Sequence, residues 1–525
     1  MRYNLLFIIT LLLSLVSCRK DFDTVRSSGQ LQFSKTTVYL DTVFTNIGSS
    51  TYMLKVYNKS SNDITIPSIA LAKGTASKYR LMVDGLTGLD ADNSGFGDGK
   101  IFQNVELLAK DSLFVFIETT ANNADVNPSD MLYTDEILFD AGAFQQKVNL
   151  VTLVQDAVFL YPERFDNGNG GYTYEGLQIG TDPPKSIYGF LLNDVDPING
   201  NELIFTNAKP YVIYGYAAVP PGKVLEIQAG ARVYFHDQSG IIVANTGSIQ
   251  VNGGISTDPI ALENEVVFEG DRLEPRFAET PGQWGTIWLT DGSTNNSFNH
   301  LTIKNASAGF LIENQDATTV QIKNTQIYNV SNNGIIAKNA KINGENIVVN
   351  NAGQTALACV LGGNYTFNHC TFANYWTGGS RQTPTVFLDN TLKVDETLTL
   401  KENLTATFTN SIIYGSNNIE LILNKDDSAD FDCTVDYCLV KFNDNNNQFL
   451  NNPLYAFLNS ANNIIGNNLN PNDPLFKDAS KNNLRIKFNS PAKSKGNPTF
   501  IITPDADGKP RTTPPDLGAY QHLPN

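Results

Sequence analysis

Tyr375, Trp376 and Arg381 lie within one short stretch that also holds Gly378 and Gly379. Two adjacent rings can stack on the apolar face of a sugar, and a nearby guanidinium can pair with an acid group on it. The same stretch also reads as a loop tucked against the exterior of its neighbours. Trp288 is a second candidate. Alternation places Ile287 and Leu289 on one face and Trp288 with Thr286 on the other, where an outward ring offers a carbohydrate platform unless a loop covers it. Asp90, Asp92, Ser94 and Asp98 follow the order of a calcium loop, with Gly95 at its sixth position. The twelfth position is Ile101 rather than Glu, so the run reads either as a degenerate Ca²⁺ loop or as an acidic hairpin tip. Cleaving a glycosidic bond needs an acid and a second carboxylate flanking it, and elimination needs a base beside a neutralised carboxylate. The positions that recur along this chain carry Asn, Thr and Ser instead, which favours binding over catalysis. Acids brought together from distant segments would leave a polysaccharide lyase or glycosidase open.

The elements that would position these groups announce themselves through spacing. Asn305, Asn329, Asn350 and Asn374 each close a short β-branched or aromatic run, at steps of 24, 21 and 24 (329 − 305, 350 − 329, 374 − 350). One strand and one Asn per circuit is the pattern of a parallel β-helix, whose Asn side chains stack from coil to coil. Strand alternation puts Thr325 with Ile327, Cys370 with Phe372, Ser411 with Ile413 and Cys438 with Val440, facing inward. Such coils need covered ends. The segments before and after them are expected to supply the covers.

The composition sets outer bounds. A net charge of −16 argues against a nucleic-acid partner. Forty glycines, with abundant Asn and Thr, favour an all-β chain. Only four His occur, and no CxxC or HExxH, which argues against zinc. Cys359, Cys370, Cys433 and Cys438 permit three disulfide pairings, with nothing in their spacing to choose among them. At the start, Arg2 and the apolar run from Leu5 to Val16 read as an export signal too short to span a bilayer.

Four resemblances sharpen this outline. Leu15-Val16-Ser17-Cys18 resembles a bacterial lipobox, which implies acylation of Cys18 and a membrane anchor. The residues Asp21-Phe22-Asp23 resemble the acidic export signal of Bacteroidetes lipoproteins, which implies display on the outer face of the outer membrane. Asp41 to Asn58 resembles Ig-like domains of the abnormal-spindle and hydin type. Asp473-Pro474-Leu475-Phe476, Ser490-Pro491-Ala492, Asp505-Ala506-Asp507-Gly508 and Asp516-Leu517-Gly518-Ala519-Tyr520 resemble the C-terminal module of right-handed parallel β-helix repeat proteins, a pectate-lyase-like fold. Arg485-Ile486-Lys487 matches a sugar-acid motif of polygalacturonases in letters, but no His is flanked by two glycines, and both basic residues are expected in solvent. The expected organisation is a signal at 1–18, a tether at 19–30 and an Ig-like sandwich at 31–155. A connector and cap at 156–207, a β-helix at 208–470 and its C-terminal module at 471–525 follow. The expected function is non-catalytic glycan binding or adhesion at the cell surface, with a lyase, a glycosidase or a spacer for a partner lipoprotein as alternatives.

Overall fold

The computed structural model describes residues 23–522 apart from 91–92, 128, 181–183, 259–260, 314–317, 450, 467–472 and 475. Cys18 and Asp92 lie outside the described residues. The chain is mostly β and divides into two compact units, Met1–Asp156 and Ala157–Asn525.

In the first unit, alternation of the kind seen in Ser112–Thr119 buries Leu113, Val115 and Ile117 and leaves their neighbours outward. Two sheets result. One runs Val25–Arg26, Ile64–Leu71, Leu132–Phe139, Gln146–Gln155, Thr37–Phe44, with Ile101–Leu107 also on Ile64–Leu71. The other runs Gln32–Phe33, Tyr52–Tyr57, Ser112–Thr119, Tyr79–Val83. Their inward residues share one core.

The second unit is built from three long, almost wholly parallel sheets of eleven, ten and nine strands. Successive strands visit the sheets in rotation. Val266–Gly270 lies in the first sheet, Ile287–Leu289 in the second and Ser297–Asn299 in the third, and Leu301–Lys304 returns to the first to pair in parallel with Val266–Gly270. One inward column of the first sheet reads Ile303, Ile327, Val349, Phe372, Ile413, Val440, each in register with the next. All six are fully buried, as are Thr325, Cys370, Ser411 and Cys438. The four cysteines at 359, 370, 433 and 438 are free thiols. Burial pushes Cys433 and Cys438 up to about 12, so they stay protonated as core residues.

The asparagine stack differs from the expected one. Register places Asn305, Asn329, Asn351 and Asn374 at equivalent positions, and Asn350 one residue earlier. One rung joins this set, from Asn351 Nδ2 to Asn329 Oδ1 at 2.7 Å. Otherwise the side chains serve loops that leave this corner or, for Asn350, the C-terminal segment. Asn305 donates to the Ala278 carbonyl (3.0 Å), Asn374 to the Gln354 carbonyl (2.7 Å), and Asn350 to the Ala479 carbonyl (2.9 Å). A longer column, bonded in two runs, stands at the corner between the third and first sheets. There His300, Asn324, Asn346, His369, Asn410 and Tyr437 all adopt φ between 46° and 53°. Asn tolerates this left-handed backbone better than most residues. Asn324 donates to Asn299, and Asn346 donates to Asn324, each at 2.9 Å. Asn410 Nδ2 meets His369 Nε2 at 3.0 Å.

His369 therefore sits in the ladder as a neutral ring. Burial, helped by the Arg511 charge, pushes its pKa down to about 3. The folded state then binds fewer protons than the unfolded one between roughly pH 6.5 and 3, so stability drops as pH falls through that window. Relative to His369→Asn, which suits the left-handed backbone, the parent is expected to lose about 2–3 kcal/mol between pH 6.5 and 4.5. Tryptophan-monitored urea unfolding reads this directly, because Trp284, Trp288 and Trp376 all belong to the second unit. Equal pH slopes for the two proteins would contradict it.

The C-terminal segment does not close the far end of the coils. It lies along the outer face of the first sheet, where Phe476, Leu484, Leu517 and Tyr520 pack on outward Tyr328, Val348 and Ile412. Those sheet residues are apolar on their outward side, so this face must be covered as the interior is. The far end is closed by the 3₁₀ turn Pro453–Asn459, which sets Tyr455 and Phe457 against Phe442.

Candidate functional site: a charged groove along the first sheet

Where the C-terminal segment stops short of covering the first sheet, an open groove of about 800 Å³ remains. One wall follows from strand alternation. With Ile303 and Ile327 inward, Thr302, Lys304, Gln326 and Tyr328 must face out, and Glu265 enters just before Val266. The other wall is the C-terminal segment, with Lys477, Lys481, Arg485, Asp507 and Lys509.

Arg485 and Asp507 organise the site. Arg485 Nε donates to Asp507 Oδ2 at 2.7 Å and Nη2 to Oδ1, and the guanidinium lies 4.4 Å from the centre of the Tyr520 ring. Lys509 Nζ reaches Asp507 at 3.3 Å. Burial works against ionisation of Asp507, yet its hydrogen bonds and charge pairing with Arg485 outweigh this and hold the carboxyl below its usual range. Glu265 shifts the other way. Burial raises it, the nearby Asp507 charge adds to the rise, and the Thr302 hydroxyl, donating at 2.9 Å, offsets part of it. Gln326 Oε1 accepts from both Tyr328 and Tyr520 hydroxyls, at 2.7 and 2.8 Å, tying the floor to the C-terminal segment.

Arg485 is not the solvated strand residue expected of it. The structure instead pairs it with Asp507, while Lys487 is exposed. The Asp505–Gly508 turn exists as read, since Asp505 Oδ1 accepts from the Asp507 and Lys509 amides at 3.0 and 2.7 Å, but it also delivers the Asp507 side chain to the groove. Glu265 carried no signal at all: its hydrogen-bond partners Thr302 and Gln326 lie on the next circuits, and two charged groups that face it, Arg485 and Asp507, come from the C-terminal segment.

The residues singled out from sequence are not gathered into one site. Arg381 is buried, with Nη2 at 2.6 Å and Nη1 at 3.0 Å from the two Glu420 carboxylate oxygens, and is withdrawn from any ligand. A buried carboxylate demands a cation more strongly than solvent does. Tyr375 packs edge-on against Phe476 at 6.2 Å, and burial raises its hydroxyl strongly. Trp376 is half-buried and lies against Gly353 and Gly378, where added Cβ atoms would stand 3.5 and 2.4 Å from its ring. Trp288 faces outward on the second sheet but packs against Leu177, Ala218 and Ile242, and donates to Glu313 at 2.8 Å. Asp90 spends its two oxygens on the Ser94 and Gly95 amides (3.0 and 2.8 Å), and Asp98 accepts from the Lys100 amide. These bonds close a turn, and Asp92, the remaining acid of the run, lies outside the described residues. Among the described residues no group of three or more His, Cys, Asp or Glu is arranged to hold a metal ion.

No family model matches this chain, and no curated protein does. Among solved structures, the Escherichia coli chaperone DraB aligns at 15% identity over 25% of this chain and 57% of that one, with a TM-score of 0.15. A family 123 glycoside hydrolase from Clostridium perfringens aligns at 7% identity over 25% of this chain and 30% of that one, with a TM-score of 0.17. The chain thus spans about half and about a third of their lengths. Likenesses of this size carry no argument for fold or function.

Proposed function

We propose that this chain is a lipid-anchored protein of the bacterial cell envelope that binds an acidic glycan in the groove and does not cleave it. Its first unit is read as an Ig-like sandwich and its second as a right-handed parallel β-helix. Two sheets around one core support the former, and one strand per sheet per circuit the latter. The lipobox at Leu15–Cys18 supports the anchor and the acidic residues behind it support outer-face display. Among the described residues no helix is long and apolar enough to cross a membrane.

The observation that carries the binding reading is charge. In a chain of net charge −16, five basic side chains (Lys304, Lys477, Lys481, Arg485, Lys509) line one groove with three acidic ones, Glu265, Glu279 and Asp507. A polymer of sugar acids matches that excess, and a salt-sensitive association follows. One observation favours cleavage instead: two groove carboxyls, Glu265 and Asp507, are shifted in opposite directions. The ion pairing of Asp507 with Arg485 and Lys509 removes it from use as base or nucleophile, and Glu279, the third groove acid, is held by the Asn329 side-chain amide.

Titration with an oligogalacturonate at low salt tests both readings. The Lys477→Ala/Lys481→Ala variant is expected to bind roughly tenfold more weakly, a loss of about 1.4 kcal/mol. An unchanged affinity would count against the groove. Release of reducing or unsaturated sugar ends by the parent, abolished in Glu265→Gln, would replace binding by cleavage.

A further inference from the structure

A second surface on the same unit is built from tyrosines rather than charges. Leu160, Ile213, Phe235 and Gly270 are in register on four successive circuits. The residues that follow them, Tyr161, Tyr214, His236 and Asp271, therefore form a column, with a step of about 4.8 Å set by strand spacing. The Tyr214 and His236 rings lie 4.5 Å apart, and His236 Nδ1 meets Asp271 Oδ2 at 2.7 Å. That pairing orients the imidazole and leaves its other nitrogen for a ligand, on a side chain that is 48% exposed.

A second row stands beside the column. The antiparallel pairs Arg164–Asp166 with Tyr172–Tyr174, and Gly176–Ile179 with Lys185–Leu191, carry Tyr172, Tyr174 and Tyr188. Tyr174 meets Tyr188 edge-on at 5.6 Å, and Arg164 covers one side of Tyr172 at 4.2 Å. Tyr188 joins the rows by lying on Gly215, whose φ is +73° and where an added Cβ would sit 2.9 Å from the ring. Tyr161, Tyr172, Tyr174 and Tyr188 are 58, 53, 52 and 43% exposed, whereas Trp284, Phe205, Phe235 and Phe268 in the neighbouring core are fully buried. Among the described residues no hydrogen bond engages the hydroxyls of Tyr172, Tyr174 and Tyr188.

We propose that this tyrosine strip, ending at the His236–Asp271 pair, is a second binding site that takes an uncharged polysaccharide. Ring faces stack on the C–H face of a sugar, and the phenol hydroxyls and His236 meet its hydroxyls. Charge selects against the acidic polymers that suit the groove. Glu163, Asp166, Glu175 and Asp271 border the strip, while Arg164 is engaged with Tyr172 and His236 with Asp271. An uncharged chain meets no such repulsion.

The test uses the full chain purified in detergent, titrated with cellohexaose, xylohexaose, mannohexaose and laminarihexaose, with an oligogalacturonate alongside. At least one neutral hexasaccharide is expected to bind. Tyr174→Ala and Tyr188→Ala should each weaken it about three- to tenfold, the scale of one lost ring contact, while Lys481→Ala leaves it unchanged. Tyr172→Ala, on an outlying hairpin, guards against misfolding as the cause, and an unaltered tryptophan-monitored melt verifies each variant. Failure of all four neutral probes, or binding that survives the Tyr174→Ala/Tyr188→Ala pair, overturns the proposal. Failure of the oligogalacturonate bears on the groove alone, so the two readings fall separately.

Discussion

Replacing Glu420 by alanine is expected to destabilise the second unit by about 3–5 kcal/mol, the cost of leaving one member of a buried ion pair alone. Glu420 and the Arg381 side chain are 0 and 1% exposed. The carboxylate also accepts from the Thr385 amide and hydroxyl, both at 2.9 Å, and from the Asn417 amide at 2.7 Å. Arg381 in turn donates to the Asn374 carbonyl at 3.1 Å, so the pair clasps the loop that leaves the coil at that corner. Arg381→Ala should cost a similar amount. Arg381→Met combined with Glu420→Leu should cost clearly less than the two single losses added, because no charge is then stranded. Urea unfolding followed by tryptophan fluorescence measures all three. Single losses below about 1 kcal/mol, or strict additivity, would show that the pair is not coupled as its geometry requires.

The second large effect is expected at Arg511. Its Nε donates to the Ile502 carbonyl (2.8 Å), and its Nη2 to Asn346 Oδ1 (2.7 Å) and the Ala519 carbonyl (3.0 Å). Burial lowers its pKa to about 10 against the opposing pull of Asp505 and Asp516, which marks a charge held in by its partners. Arg511→Ala strips bonds from both the Asn ladder and the segment laid over it, at a cost of about 3 kcal/mol. Arg511→Lys should recover little, since one ammonium cannot reproduce the planar fork. Hydrogen exchange should speed up across residues 497–522 before the coils themselves are affected. Uniform exchange across the unit would mean that Arg511 does not hold the segment in place.

The parallel all-β character was legible in the chain because strand alternation and circuit length are local. Ile327 and Val349 reveal their facing through their immediate neighbours. Register was harder. Asn350 and Asn351 are adjacent, and spacing alone cannot say which of two asparagines sits at the corner. The longer ladder at Asn324 and Asn346 was missed because His300, His369 and Tyr437 interrupt it with other side chains on the same left-handed backbone. Arg381 read as a surface base because its partner lies 39 residues later, past an intervening hairpin. The groove was hidden for the same reason at larger scale. Glu265 and Asp507 stand 242 positions apart (507 − 265), and no periodicity links them.

That separation has a consequence for assembly. Each circuit contacts mainly the circuit before it, so the coils can add one after another with small loop-closure costs. The segment laid over the first sheet closes differently: Arg511 reaches back 165 residues to Asn346, and Tyr520 reaches back 194 to Gln326. One wall of the groove therefore cannot form until the last part of the second unit has emerged and docked. A chain halted after the coils would hold its strands yet lack Asp507 and four of the five groove cations, Arg485 among them. A completed groove in this architecture thus reports that synthesis has run through to the docking segment.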